Sequence, residues 1–438
     1  MARNFVERNV TFWGMVAAVM AALKLKDRWD GCQSEAEGLG HGPVALHSPI
    51  DPESGRQLPS LDIDTEIPAT RPKRKHARNC CVCCGFQCGL FWKAFGIVCL
   101  LFLGWQAIEL AIWLITPSPT GLEGMPAYST SLGCADARHI YNPEQTIYSI
   151  PIGAEAEHTV DIQGGAFGTL LLAEGTADSQ DIQLEMMLRT DNSALLDSVS
   201  MQYPTSEDVQ SGLAQSHLLL QTPAVGSSCM RYDMVLRIPP NLKDLTVMAS
   251  SITQLQFDKD AHVTLDSLNI RLQSTEDSDK HMLLPNTNFH AKSLALETVK
   301  GWLVGDISIV EQASLTTSRG DAVMNVHVHP LAAAESESAV LNTKTGNGRA
   351  DVFYESDAGV PHRQIQSKHL SSRTGDLYLT YKDAEFNGRV DMQAKSYFTR
   401  GMTLNNNRTS TELPWVGNKD GGDLIHAEST QGWIGLYF

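Results

Sequence analysis

Between Ala94 and Ile115 the chain runs AFGIVCLLFLGWQAIELAIWLI, with Glu109 as its one formal charge. At about 1.5 Å of rise per residue, a helix of this length crosses a hydrocarbon core of roughly 30 Å. Trp92 and Trp113 fall where the two interfaces would lie, and the TPSP that follows Ile115 stops the helix. A single transmembrane span over 94–115 therefore divides the chain into two regions that face different solvents. Glu109 is placed to snorkel outward, with helix pairing as its sharper use.

The flanks of the span predict which region lies on which side. RPKRKHAR precedes it, carrying Arg71, Lys73, Arg74, Lys75 and Arg78, whereas no Lys or Arg follows Ile115 until Arg138. The positive-inside rule then predicts a type II membrane protein, with the N-terminus cytoplasmic and the C-terminal part extracellular or lumenal. The same basic run would attract anionic headgroups of the bilayer, at about 1 kcal/mol per residue.

Five of the 9 cysteines, Cys80, Cys81, Cys83, Cys84 and Cys88, lie in CCVCCGFQC between the basic run and the span. On a reducing cytoplasmic side they are poor disulfide partners. A zinc knuckle wants two ligand pairs separated by a folded insert, which this packed cluster lacks. Juxtamembrane cysteines are preferred sites of S-palmitoylation, and acyl chains added here would enter the bilayer directly, so the residues 80–93 read as a lipid-anchored juxtamembrane segment.

Residues 1–30 contain VTFWGMVAAVMAAL, an apolar stretch from Val10 to Leu23 followed by KLKDR rather than by a small-residue cleavage site. The stretch reads as an interfacial or partner-packing helix, with a second short span and a signal sequence as alternatives. Residues 31–79 are rich in Gly, Pro, Ser and acidic residues without periodicity, the pattern of a disordered cytoplasmic linker. After the span, 116–126 reads as a Pro/Gly linker.

From 127 to 438 apolar and polar residues alternate, as in LNIRL from Leu268, VMNVHV from Val323, LYLTY from Leu377 and VDMQA from Val390. Alternation with no long helical stripe predicts an all-β extracytoplasmic domain. A Gly-Asp pair is expected to open strands at Gly305, Gly320 and Gly375, with related turns at Gly346 and Asn387. The recurrence of these turns at short intervals predicts a β-solenoid, with a β-sandwich as the alternative.

Cys134 and Cys229 form a disulfide candidate in an oxidising compartment, with two buried free thiols as the alternative. Asn407-Arg-Thr is an N-glycosylation candidate on the outer side. Up to Ile115 there are 12 Lys/Arg against 11 Asp/Glu, so the remaining 22 against 39 leave the outer region at −17. A region that acidic, without a basic stripe, excludes nucleic acid as an expected partner.

Catalytic signatures are missing: there is no G-x-S-x-G, no G-x-x-x-x-G-K-[ST] and no H-E-x-x-H. His327 and His329 alternate on one strand face and read as solvent-facing side chains rather than a zinc pair. Arg319-Gly320-Asp321 spells an integrin-type tripeptide, which turn chemistry accounts for. The sequence calls for no cofactor and no metal, and the protein is expected not to be an enzyme.

The basic run with its cysteines (RPKRKHARNCCVCC), the span and the repeats TSRGDAVMNV, NTKTGNGRADV and SSRTGDLYLTY together resemble a group of fungal single-pass membrane proteins whose outer part looks like an adhesin-type β-solenoid, a family of largely uncharacterised function. The resemblance covers Arg71 to Phe438 and implies a fold and a location, with no catalytic residues. The expected function is presentation of a non-catalytic adhesin-like β domain that binds cell-wall glycan or a surface protein. A membrane-tethered carbohydrate-active enzyme and a structural membrane organiser are the alternatives. Acyl-exchange labelling should mark the wild-type chain and lose its signal when Cys80, Cys81, Cys83, Cys84 and Cys88 are all changed to serine; an unlabelled wild type would remove the lipid anchor.

Overall fold

The computed structural model describes residues 18–26, 29, 82–83, 86–115, 120–210, 215–273, 279–318, 320–332, 338–356, 361–403 and 413–438. The basic residues Arg71, Lys73, Arg74, Lys75 and Arg78 lie outside these, as do Cys80, Cys81, Cys84, Arg319 and Asn407, the linker expected over 31–79, and the Glu109 side chain. The chain divides into two compact units, Met1–Ser118 and Pro119–Phe438.

In the first unit a helix runs from Cys88 to Ile115, and its Phe91–Ile108 part is long and apolar enough to cross a membrane. It is the one such helix among the described residues. Leu100 is 72% exposed and Leu103 64%, so the helix turns apolar side chains outward. On another side Ala94 and Val98 are buried against Val19, Met20 and Leu23 from the helix over 18–26. Cys83 sits in a two-residue strand paired antiparallel with Phe86–Gln87, and Cys88 opens the long helix.

The second unit is mostly β, in two sheets whose neighbouring strands are largely parallel. From Met230–Ile238 through Ser396–Arg400 consecutive strands go to alternate sheets. Val263–Leu272 pairs in one sheet with Phe289–Thr298, the next but one in that region to belong there, and the intervening Met282–Leu284 pairs in the other sheet with Trp302–Ile309. A hairpin-built sandwich would instead join sequence neighbours antiparallel. Antiparallel pairs occur at one end, where Ile182–Thr190 lies against Met230–Ile238 and takes His139–Ile140 and Ile147–Ile150 on its other edge, and at the other, where Trp415–Val416 lies against Gly388–Gln393.

Parallel register stacks like on like. Leu245, Leu268, Leu294, Ala313 and Leu341 are successive partners in one sheet. Leu255, Leu283, Leu303, Met324, Ala350 and Leu377 do the same in the other. Both columns point into one shared core, and each side chain in them is nearly or fully buried. The alternation expected from sequence is therefore met: Leu268, Ile270 and Leu272 are each 0% exposed.

One expectation is corrected. Gly305 does not open a strand but lies inside Trp302–Ile309, with φ +148° and the Pro285 carbonyl oxygen so close that a Cβ would stand 2.5 Å from it. Gly320, with φ +60°, does sit in a turn. Within and just after the segment read as a Pro/Gly linker, Leu122, Met125 and Tyr128 pack on Met282, Trp302 and Val323. Their apolar surface leaves water by covering the outer face of the sheet.

Three histidines are sealed in the β unit. The His158 Nδ1 is 2.7 Å from the Ser216 hydroxyl, the His281 Nδ1 accepts from the Thr253 amide, and His369 sits between Thr343 and Tyr381. Burial holds His158 and His369 down to about 3 and His281 to about 4, against an ordinary 6.5. The unfolded chain thus takes up protons near pH 6.5 that the folded chain refuses. Stability from these rings is complete above pH 6.5 and declines as pH falls toward those lower values, by about 1.4 kcal/mol per pH unit and per ring. The urea midpoint should fall between about pH 7.5 and about pH 5; a midpoint unchanged across that window would contradict the buried, neutral placement.

Candidate functional site

Strand Met230–Ile238 buries Tyr232, Met234 and Leu236 and turns Arg231, Asp233, Val235 and Arg237 the other way. The flanking strands follow the same rule. Ile182–Thr190 sets Met187 beside Asp233 and Glu185 beside Val235, and Phe167–Glu174 sets Thr169 and Leu171 on the far side of the same pair. Three strands thus build a floor of charged and apolar side chains on the outer face of the sheet. Tyr128, Thr146, Ile147 and Gln256 add walls, and the result is an open cleft of about 500 Å3.

Both carboxylates in the cleft are held by arginine. Arg231 donates to Asp233 from Nε at 3.0 and 3.1 Å and from Nη2 at 2.7 Å. Thr169 Oγ1 donates to the same carboxylate at 2.9 Å, and Arg189 lies 3.6 Å away. Arg237 is 3.2 Å from Glu185. A forked guanidinium on each acid fixes the position of its acceptor oxygens.

Arg231 also ties the segment after the first unit to the sheet. Its Nη1 donates to the carbonyls of Ser129 and Gly133, both at 3.0 Å, and its Nη2 to the Ser129 hydroxyl at 2.6 Å. Arg189 donates to the Ala135 carbonyl. Between these anchors Cys134 and Cys229 are joined as a disulfide, with Cα atoms 6.1 Å apart and a sequence separation of 95. Burial pushes Tyr128, in the cleft wall, up to about 12, so it stays a neutral hydroxyl at physiological pH.

The other residues singled out from sequence are placed apart from this cleft. The His327 Nδ1 is 2.7 Å from Glu355 Oε1, and its ring stacks on Phe353 with centroids 4.6 Å apart. The His329 Nε2 is 3.9 Å from the other Glu355 oxygen. The two histidines do share a face, and among the described residues no group of three or more His, Cys, Asp or Glu is arranged to hold a metal ion. The cleft itself was not singled out from sequence. Its trace is RYDMVLR, where Arg, Asp and Arg stand at alternate positions of an otherwise apolar strand.

No family model matches the chain, and no curated protein does. Among solved structures, one described as a "putative cell adhesion protein" from Clostridium sporogenes aligns over 66% of this chain and 97% of that one, at 7% identity and a TM-score of 0.23. Similarity at that level carries no argument about this chain.

Arg231→Ala removes the anchors of 129–133 and leaves a half-buried Asp233 without its fork, at a cost of about 2–3 kcal/mol. Amide exchange over 127–135 should accelerate selectively, read by hydrogen–deuterium exchange. Exchange unchanged in this segment would contradict the anchoring role.

Proposed function

We propose that the protein is a single-pass type II membrane protein whose outer region, a β-solenoid, binds cell-wall glycan or a surface protein without catalysing a reaction. The observation that carries this reading is the open cleft, in which Asp233 and Glu185 are each engaged by arginine and apolar Leu171, Val235 and Met187 lie beside them. Such a surface offers fixed acceptors for hydroxyl or amide groups together with an apolar floor, the composition of a recognition site. The two-sheet parallel pairing supports the solenoid, because each coil buries its apolar side against neighbours of the same pattern.

The juxtamembrane cysteines and the apolar Phe91–Ile108 helix support attachment to a bilayer, and the basic run before the span supports the type II orientation. Carbohydrate cleavage is the competing reading. It needs two carboxyl groups about 5–9.5 Å apart whose oxygens can reach the scissile bond, and the arginine on each acid of the cleft competes for those oxygens.

The test uses the full-length chain in lipid nanodiscs. Ile147, 60% exposed, and Met187, 39% exposed, are cleft residues that can be changed without opening the core. On immobilised wall glycans or surface-protein extracts, wild type should be retained and the Ile147→Glu, Met187→Glu double variant weakened about tenfold or more, a change of about 1.4 kcal/mol. Wild type retained by neither material would overturn the binding reading. Release of reducing ends that disappears in Asp233→Asn or Glu185→Gln would establish the enzyme instead.

A further inference from the structure

Near the end of the second unit, strand order departs from chain order. Ile365–Ser371 pairs with Asp423–Ser429, which pairs on its other edge with Gly388–Gln393. In the opposite sheet Leu377–Asp383 pairs with Trp433–Tyr437, which pairs in turn with Ser396–Arg400. The coil made by 423–437 is therefore inserted between two coils that both precede it in the chain. Each of its two strands is parallel to both neighbours, so its withdrawal would leave two facing strand edges in each sheet.

The inserted coil is fastened by groups that reach both sides. The Asp423 side chain is 0% exposed. Its Oδ1 accepts from the Ile365 amide at 2.8 Å and its Oδ2 from the Asn387 amide at 2.7 Å, one from each flanking coil. The His362 Nε2 lies 3.0 Å from the same carboxylate. At the start of the second strand the Trp433 amide donates to Asp376 at 2.8 Å. Gly432 passes so near Gly375 that a Cβ would stand 2.1 Å from its carbonyl oxygen. The lead-in carries Gly417 at φ +62° and Gly422 at φ +96°, two points where the backbone can redirect the coil as a body.

A slot of this kind is selective. Its occupant must offer two strands of the right spacing, a carboxylate at the first position of the first strand and a glycine where the second begins. The segment that meets all of these demands is 423–437 itself, and every other copy of the chain presents it with the same sequence. We propose that the slot accepts the Asp423–Tyr437 coil of a second copy, so that two copies join by exchanging it. Exchange replaces every ladder and latch contact by an identical one, which makes it a low-cost route to a dimer.

Gln366 and Leu424 are register partners across the slot, and both are exposed. Full-length Gln366→Cys chain, isotopically heavy, is mixed with light Leu424→Cys chain in detergent, opened in mild urea, returned to native buffer and oxidised. Mass spectrometry reads the disulfide-linked peptide pair. The expected result is a heavy–light link between positions 366 and 424 that is lost when Glu428→Cys replaces Leu424→Cys, because residue 428 pairs with Leu370 instead. Absence of the heavy–light link while the Gln366→Cys, Leu424→Cys double variant links within one chain would overturn the exchange. A double variant that fails to link within one chain would overturn the inserted coil on which the exchange rests.

Discussion

The backbone ladder between parallel strands, each the next but one in sequence, is what the β unit depends on. Parallel register places residue on residue, so Leu255, Leu283 and Leu303 stack in one sheet while Leu245, Leu268 and Leu294 stack in the other. A slip of one residue in any of these strands would turn its inward set of side chains outward. The ladder fixes the outer face as well: Asp233, Met187 and Thr169 meet in the cleft because they are register partners.

The cleft shows what the ladder allows at an end where it changes direction. Antiparallel pairing of Ile182–Thr190 against Met230–Ile238 brings Glu185 beside Val235 and Arg189 beside Arg231. Each carboxylate so gathered meets an arginine, Asp233 meeting two, and Arg231 extends the network 102 residues back along the chain to Ser129. The disulfide from Cys134 to Cys229 holds the same two segments together covalently. The entry segment and the cleft are consequently one structure, which is why a surface proposed for binding lies beside the point where the β unit begins.

Much of the fold was legible in the residues, and specific parts were not. Alternation marked Leu268, Ile270 and Leu272 as inward because a period of two is a property of the strand itself. The long apolar helix was legible because it needs only length and apolar character. Gly305 was misread because a Gly-Asp pair looks the same in sequence whether it makes a turn, as at Gly320, or lets a strand pass close to the Pro285 carbonyl. The order of strands around 423–437 was illegible because it is decided by pairing with segments far away in the chain. The cleft was hidden for a related reason: Arg231, Glu185 and Tyr128 become neighbours only through pairing across the fold.

The reading as an outward-facing membrane protein rests on the side of the bilayer that holds residues 119–438, and protease accessibility of an epitope tag appended after Phe438 tests it directly. The tag should be cut on intact cells if the β unit is at the surface, or be protected in sealed microsomes until detergent is added if it is lumenal. Cleavage in sealed microsomes without detergent, together with protection on intact cells, would place the β unit in the cytosol and contradict the account.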